Sequence, residues 1–151
     1  RFYFSFIFPN NSLVKSHSYE ALFAQNKERL IQLIAKSYED ASSEFVQEAI
    51  NQKIFPGFEK MGRWWDKNLE IDLVGLNEKD NAILFVETKW NAKPLGLKVL
   101  EDLKNKTKKV MWGKENRKEH FALVAKGGFN RELVEKSKKE GVTLIKEDKI
   151  C

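Results

Sequence analysis

The pattern of hydrophobic and polar positions predicts helices in the first third of the chain and mainly strands after it. Apolar residues recur at helical spacing over Tyr19–Lys36, which predicts one helix or two short ones. The same spacing returns over Glu39–Gln52 and predicts a further helix. Beyond Pro56-Gly57 short apolar runs alternate with turn formers, and Phe58–Trp65 is expected to be the first strand.

The next two apolar runs predict a β-hairpin. Leu69–Leu76 and Ala82–Trp90 both have the composition of strands, and Asn77–Asn81 between them consists of turn-forming residues. If each strand alternates strictly, Asp72 shares a face with Glu70, and Glu87 shares a face with Lys89. The hairpin is therefore the part of the chain where charged side chains enter strands that are otherwise apolar.

Two carboxylates and an ammonium would converge at one end of this hairpin if the register sets Asp72 beside Glu87. Such a cluster is costly to bury without an ion. Magnesium takes oxygen ligands, polarises phosphate and generates hydroxide from water, so the cluster indicates a metal site for phosphodiester hydrolysis. Lys89 is placed to reach the attacking water or the developing phosphate charge. The alternative is an ordinary solvent-facing strand pair with a cross-strand salt bridge.

After the hairpin, helical and strand-like segments alternate. The pattern predicts a helix, a buried strand, a second helix that Asn130 caps and Gly141 ends, and a last strand, over Leu97–Trp112, Glu119–Ala125, Arg131–Lys139 and Val142–Lys146. The resulting order of elements predicts an α/β fold with a mixed central sheet flanked by helices.

Charge changes the picture by pointing to nucleic acid. The chain of 151 residues has a formal net charge of +5 and an estimated pI of 9.2, which favours acidic partners. Four lysines on the predicted helix after the hairpin form a basic run: Lys104, Lys106, Lys108 and Lys109. Such a run is commonly only a solvated face, but beside a nuclease site it becomes a track for the phosphate backbone.

The end of the first predicted strand adds a second group of side chains that could meet nucleic acid. Trp64 and Trp65 are adjacent and must point to opposite faces, so one belongs in the core and the other at the surface. Arg63 and Trp65 are candidate nucleic-acid contacts, with core packing of the indole as the alternative to base stacking.

Cysteine usage and the absence of a long apolar run bear on location. Cys151 is the one cysteine, so no internal disulfide is expected, which favours a reducing compartment. Phe2–Phe8 is too short to span a bilayer. We expect a cytoplasmic protein without a membrane partner.

The spacing of Asp72 and the later Glu87-Thr88-Lys89 resembles the split signature of the PD-(D/E)XK nuclease superfamily. Ile71 stands where the signature often has proline, and many members of the superfamily also lack that proline. The segments Gly62–Asp66, Glu70–Val74 and Arg1–Leu13 resemble a narrower family, the domain of unknown function at the C-terminus of archaeal-type AAA/STAND ATPases. The similarity covers nearly the whole chain.

This resemblance implies a restriction-endonuclease-like αβββαβ core with an extra N-terminal helical segment. It implies a deoxyribonuclease of the endonuclease type that uses magnesium or manganese, with Asp72, Glu87 and the Thr88 carbonyl as ligands. Lys89 would be catalytic, and a helix glutamate, Glu44 or alternatively Glu48, would complete the site.

The resemblance also implies partners and boundaries. Residues 1–36 would link an upstream ATPase and winged-helix part of the same chain to a nuclease-like domain over residues 37–151. DNA is the expected substrate, and a homodimer is left open. The rival interpretation is a catalytically silent module of the ATPase that binds nucleic acid or protein.

Overall fold

The computed structural model describes residues 2–147 and 149–151, and the chain divides into two compact units, Arg1–Ser37 and Tyr38–Cys151. Arg1, the first residue of the predicted N-terminal segment, lies outside the described residues. No helix in the described part of the chain is long and apolar enough to cross a bilayer.

The first unit is mainly helical. A π-helical turn over Tyr3–Ile7 and a 3-10 turn over Phe8–Asn10 lead into the short helix α1 (Asn11–Lys15), and after a turn α2 (Tyr19–Asn51) begins and continues into the second unit. The predicted N-terminal helical segment is therefore confirmed. Separate helices were expected where α2 is one helix. Neither glycine nor proline occurs in α2, and the Ser37 hydroxyl donates back to the carbonyl of Leu33, which keeps the serine within the helix.

The second unit is built on one mixed sheet. Its described strands are β1 (Lys60–Asp66), β2 (Leu69–Asn77), β3 (Ala82–Lys89), β4 (Lys118–Ala125), β5 (Val142–Lys146) and β6 (Lys149–Ile150). They lie in the order in which they occur in the chain. The pairs β1–β2, β2–β3 and β5–β6 are antiparallel, whereas β3–β4 and β4–β5 are parallel. The helices α3 (Leu97–Thr107) and α4 (Arg131–Glu140) make the two parallel connections.

Helices cover both faces of this sheet. On one face Val46 and Ala49 of α2 pack against Leu84 and Val86 of β3. On the other face α3 and α4 bury their leucines against the sheet. β3 lies in the middle and is buried from Ala82 through Thr88, so its side chains belong to two cores at once. The predicted α/β architecture with its αβββαβ order is confirmed.

Local signals in the sequence act as expected at several element ends. The Asn130 side chain accepts a hydrogen bond from the Leu133 backbone and caps α4, which ends at Gly141 in the left-handed conformation. The α3 helix is shorter than predicted and ends at Thr107. The Arg117 guanidinium donates to the carbonyls of Val110 and Trp112, which stabilises a turn in place of further helix.

Candidate active site

An irregularity in β2 positions Asp72. The register between β1 and β2 places Asp72 and Leu73 together opposite Arg63, so β2 carries one extra residue there. Ile71 and Val74 then pack into the same core although their positions differ by an odd number. The expected strict alternation of side chains along this strand is therefore wrong at the bulge, because the extra residue reverses the faces on either side of it.

Asp72 reaches β3 where the two strands part. The cross-strand pairs of β2 and β3 run up to Leu73 and Val86, and beyond them the Asp72 Oδ2 accepts a hydrogen bond of 2.7 Å from the Thr88 backbone N–H. The N–H and C=O of one strand residue point to the same side of the strand. The Thr88 carbonyl therefore points toward the same gap as the Asp72 carboxylate.

Glu87 is buried and contacts two lysines. Its side chain is only 7% exposed, and its Oε1 lies 2.6 Å from the Lys89 Nζ. The Lys106 ammonium, from α3, lies 2.9 Å from Oε1 and 2.8 Å from Oε2. These charge-assisted hydrogen bonds compensate the burial of the carboxylate. The structure thus brings Asp72, Glu87 and Lys89 together at the C-terminal end of the central strand β3, with Lys106 as a further member.

The electrostatics of this cluster are those of crowded charges. Burial, followed by the negative charge of Glu87, raises the pKa of Asp72 to about 6, against the opposing effects of the Thr88 N–H and Lys89. Burial alone would lower the pKa of Lys89, but its hydrogen bond to Glu87 and the nearby carboxylates raise that pKa overall. The cluster therefore holds a carboxyl group that titrates near neutral pH beside an ammonium that stays charged.

The helix α2 supports the cluster from the other face of the sheet. The Thr88 hydroxyl donates to the Ser42 hydroxyl over 2.8 Å, and that group donates to the Glu39 carbonyl. The Glu39 carboxylate pairs with Arg63 over 2.9 Å, and Arg63 also pairs with Glu70. Burial and the charge of Glu70 raise the pKa of Glu39, whose own charge acts on Asp72.

The predicted helix glutamates lie elsewhere on α2. Glu44 and Glu48 are both exposed, and Glu48 accepts a hydrogen bond from Gln52. Among residues 2–147 and 149–151, no hydrogen bond or ion pair joins either glutamate to Asp72 or Glu87. Two residues beyond Ser42, Glu44 is turned roughly 200° around the helix from the position that contacts β3. Glu39, earlier on the same helix, is a glutamate whose charge acts on Asp72 and Lys89.

Glu39 does not stand out in the sequence, because the resemblance to the nuclease superfamily supplied the helix glutamate and the buried face of α2 is lined by small residues. Ser42, Val46 and Ala49 are buried, whereas the larger Phe45 and Ile50 are only half-buried. If the large apolar residues Phe45 and Ile50 are taken to mark the buried face of α2, that face is placed too far around the helix from Ser42, Val46 and Ala49. The spacing of Ser42, Val46 and Ala49 is the signal that would have found Glu39, three residues before Ser42.

The predicted nucleic-acid contacts do not form one continuous track. Lys106 contacts Glu87, and Lys104 turns toward Glu140 on α4 and stands 5.4 Å from the centre of the Phe121 ring. Lys108 and Lys109 are exposed in the turn after α3, where Lys108 donates to Asn105. Arg63 is held in its ion pairs.

The two adjacent tryptophans divide between core and surface as predicted. Trp64 packs against the core, and Trp65 is 72% exposed. Trp65 therefore has a ring face that a partner can reach, which is the property that a stacking contact with a base requires.

The residues of the cluster fit magnesium or manganese. Asp72, Glu87 and the Thr88 carbonyl offer the oxygen ligands that these ions prefer. In the described part of the chain no three His, Cys, Asp or Glu side chains are grouped to hold a metal. Magnesium, however, is usually bound by one or two carboxylates with water and substrate phosphate. A cation would also relieve the repulsion from Glu87 that helps raise the pKa of Asp72.

Comparison with known proteins places the chain among archaeal relatives. The family described as "Archaea bacterial proteins of unknown function" matches residues 3–111. A repair endonuclease from Pyrococcus abyssi is similar in structure, with a TM-score of 0.42 and 18% identity over 70% of this chain and 46% of that one. An uncharacterized protein from Methanocaldococcus jannaschii is 35% identical over 128 residues, or 83% of this chain. The chain spans 28% of the length of that relative.

Proposed function

The chain belongs to the family described as "Archaea bacterial proteins of unknown function", and we propose that its sheet-containing part is a metal-dependent nuclease domain that hydrolyses DNA phosphodiesters. The observation that carries this proposal is the cluster of Asp72, Glu87 and Lys89 at the C-terminal end of β3. A raised carboxyl pKa, a second carboxylate and a charged lysine in one cluster are typical of a site that handles phosphate and a cation.

Each member of the cluster has a role in this proposal. Asp72, Glu87 and the Thr88 carbonyl would hold the ion, and through it they would position the phosphate. Bound magnesium or manganese supplies Lewis-acid chemistry, which polarises phosphate and lowers the pKa of water. In the reaction the oxygen of a water molecule bonds to phosphorus while one ester P–O bond breaks. Water loses a proton, and the departing oxygen gains one.

Lys89 acts as a hydrogen-bond donor in this proposal. Its raised pKa keeps the ammonium protonated, so it cannot serve as the base that accepts the proton of water. A fixed positive charge instead stabilises the negative charge that grows on the phosphate oxygens in the transition state. Lys89 is held for this by its 2.6 Å contact with Glu87.

The wider setting is also a proposal. We place the nuclease-like domain at residues 37–151 and assign residues 1–36 to the connection with an upstream ATPase part of a longer protein. A relative of which this chain spans only 28% leaves room for such a part. The exposed aromatic rings of the first unit, among them Phe4 and Phe8, supply an apolar surface for it.

A second function is compatible with the ion pairs of Glu87. Both of its oxygens contact lysine ammonium groups, and such internal ion pairs compensate a buried carboxylate in a domain without catalysis as well. The same domain without catalysis would bind DNA or a protein partner for the ATPase. The two functions differ in whether the domain breaks phosphodiester bonds.

The test is cleavage by the purified chain of supercoiled, linear, branched and single-stranded DNA, and of RNA, across a manganese titration. We expect cleavage of at least one DNA form that requires the ion. Lys89→Ala should reduce the cleavage rate by a factor on the order of 100 to 1,000 with little change in DNA affinity. Asp72→Ala should stop cleavage through lost ion binding, and Lys98→Ala on the exposed side of α3 should cut as wild type does.

Two results would change the proposal. If the wild-type protein cuts none of these substrates with manganese or magnesium, the enzymatic function is wrong and the non-catalytic module stands. If Lys89→Ala cuts at the wild-type rate, the role of Lys89 is wrong although the metal site is retained.

A further inference from the structure

We infer that Lys106 makes binding of the divalent cation conditional on DNA, because it occupies Glu87 until the cation displaces it and then binds the phosphate of the substrate. This inference rests on the proposed nuclease function and adds to it a residue that the nuclease signature does not contain. Lys106 comes from α3, on the far side of the cleft from the hairpin that carries the signature.

The contact between Lys106 and Glu87 is more than a surface ion pair. The Lys106 Nζ lies within 2.9 Å of both carboxylate oxygens, and the two side chains are only 22% and 7% exposed. Lys106 stands between the buried residues Leu103 and Thr107 on the helix, so its stem follows the side of α3 that faces the sheet. A lysine in this position occupies the oxygens that a cation on Glu87 would need.

The carboxylate of Glu87 is already paired with two ammonium groups. Lys89 and Lys106 contribute two positive charges at its oxygens, while the other carboxylates, Asp72, Glu39 and Asp102, lie around this set. A divalent cation on Glu87 would stand beside both ammonium groups in a partly buried cleft, which is unfavourable. Cation binding is therefore favoured when one ammonium leaves Glu87 or when an anion enters with the cation.

Lys106 is the ammonium that can leave. Lys89 lies on β3 beside Glu87 and is also stabilised by the charges of Asp72 and Glu39. Both lysines make their described side-chain hydrogen bonds to Glu87, but Lys106 reaches it from a separate element, α3, at the end of a four-carbon stem. A cleft of about 530 Å³ between β3 and α3, also lined by Val99 and Asn105, gives the released ammonium space to move.

The phosphate of DNA is the anion that completes this exchange. It offsets the positive charge that the cation adds beside Lys89 and Lys106, and it offers the released Lys106 a new partner within the same cleft. The cation and DNA should therefore bind cooperatively, with a coupling of the size usual between linked sites, about 5- to 150-fold in affinity. Lys106 would contact substrate in that state and be a catalytic residue.

The experiment measures manganese affinity by electron paramagnetic resonance for the full chain, alone and with a phosphorothioate DNA duplex that resists cleavage. Wild type should bind manganese weakly alone and about tenfold or more tightly with the duplex. Lys106→Met should bind manganese alone about tenfold more tightly than wild type and gain little from the duplex. The control Lys98→Met removes an exposed lysine of the same helix and should behave as wild type.

A loss of structure cannot mimic the expected result, because damage to the site weakens ion binding whereas displacement of a competitor strengthens it. Lys106→Gln keeps a hydrogen-bond donor and removes only the charge, so it replaces Lys106→Met if thermal unfolding shows that variant to be misfolded. If the folded variant binds manganese no more tightly than wild type does, the role of Lys106 is wrong. The nuclease function would still stand in that case if the wild-type protein cleaves DNA. If wild type binds no manganese even with DNA, the inference and the nuclease function both fail.

Discussion

The ionised side chain of Asp72 lowers the stability of the folded protein. Its pKa rises from 3.8 to about 6, first through burial and then through the charge of Glu87. Between these values the folded protein holds a proton that the unfolded chain has lost. The contribution of Asp72 to stability is therefore complete below about pH 4 and is lost as the pH rises through about 6.

We expect Asp72→Asn to be more stable than wild type at pH 8 in the absence of divalent ions. Asparagine removes the buried charge and keeps an oxygen that accepts from the Thr88 N–H. A shift of about two pKa units corresponds to roughly 3 kcal/mol, so a gain on the order of 1–3 kcal/mol in the free energy of unfolding is expected. The measurement is urea unfolding at pH 8 and pH 3.5, and the difference between the two proteins should disappear at pH 3.5.

The exposed Asp66 provides the matched control for this experiment. Asp66→Asn makes the same chemical change at the end of β1, and its stability should follow wild type at both pH values. An Asp72→Asn protein that is less stable than wild type at pH 8 would show that the carboxylate is favourably held in the absence of a cation.

At this scale the sequence identifies the acids better than their partners. Asp72 and Glu87 were found because a charge inside an apolar strand is conspicuous within a short window of sequence. The contact of Lys106 with Glu87 joins residues 19 positions apart on different elements. The direction of the Lys106 side chain depends on how α3 packs on the sheet. The sequence pattern shows Lys106 only as one member of the basic run on this helix.

At the scale of elements, the packing of α2 brings Glu39 close enough for its charge to act on Asp72. The Ser42 hydroxyl donates to the Glu39 carbonyl and accepts a hydrogen bond from the Thr88 hydroxyl. These two hydrogen bonds connect α2 directly to β3. Small side chains at Ser42 and Ala49, both fully buried, allow the helix to lie close to the sheet. The sequence predicts the helix itself, but the depth of its packing depends on the sheet beneath it.

We expect Glu39→Gln to lower the rate of metal-dependent cleavage by about 10- to 100-fold, the usual effect of losing a residue that supports metal ligands. The charge of Glu39 acts on Asp72 and Lys89, and its ion pair orients Arg63. Glu44→Gln and Glu48→Gln change exposed residues of the same helix and should cut at the wild-type rate. Cleavage rates at saturating manganese, with thermal unfolding of each variant, decide the question. A larger loss in Glu44→Gln than in Glu39→Gln would support the Glu44 assignment that the resemblance to the nuclease superfamily implies.

The bulge in β2 shows why local pattern cannot give the full geometry of a strand. The extra residue lies at Asp72 and Leu73, where neither glycine nor proline marks an irregularity. Ile71 and Val74 are both apolar, so the pattern of residue types is compatible with the bulge and with plain alternation. Only the register of β2 against β1, in which Arg63 faces both Asp72 and Leu73, distinguishes the bulge from plain alternation.

At the scale of the whole molecule, the sequence predicts the order of elements because each depends mainly on short-range signals. Neighbouring strands in the chain are neighbours in the sheet, so the topology follows closely from that order. The distribution of basic side chains is different, since it depends on long-range ion pairs. Lys104 is drawn to Glu140 on α4, and Lys106 is drawn to Glu87, although both belong to one basic run.

DNA binding should therefore depend most on the lysines that remain exposed after these ion pairs form. We expect affinity to fall steeply with salt, and the double variant Lys108→Ala, Lys109→Ala to reduce the slope of log affinity against log salt by roughly 0.9 for each lost phosphate contact. Lys104→Ala should change the slope less, because its ammonium is paired with Glu140. The control Lys138→Ala, Lys139→Ala removes the same charge from α4 and should leave the slope unchanged.

Fluorescence anisotropy with one duplex between 50 and 200 mM salt provides the measurement. Equal slopes for both double variants would mean that DNA responds only to net charge, and the turn after α3 would then have no specific place in the interface.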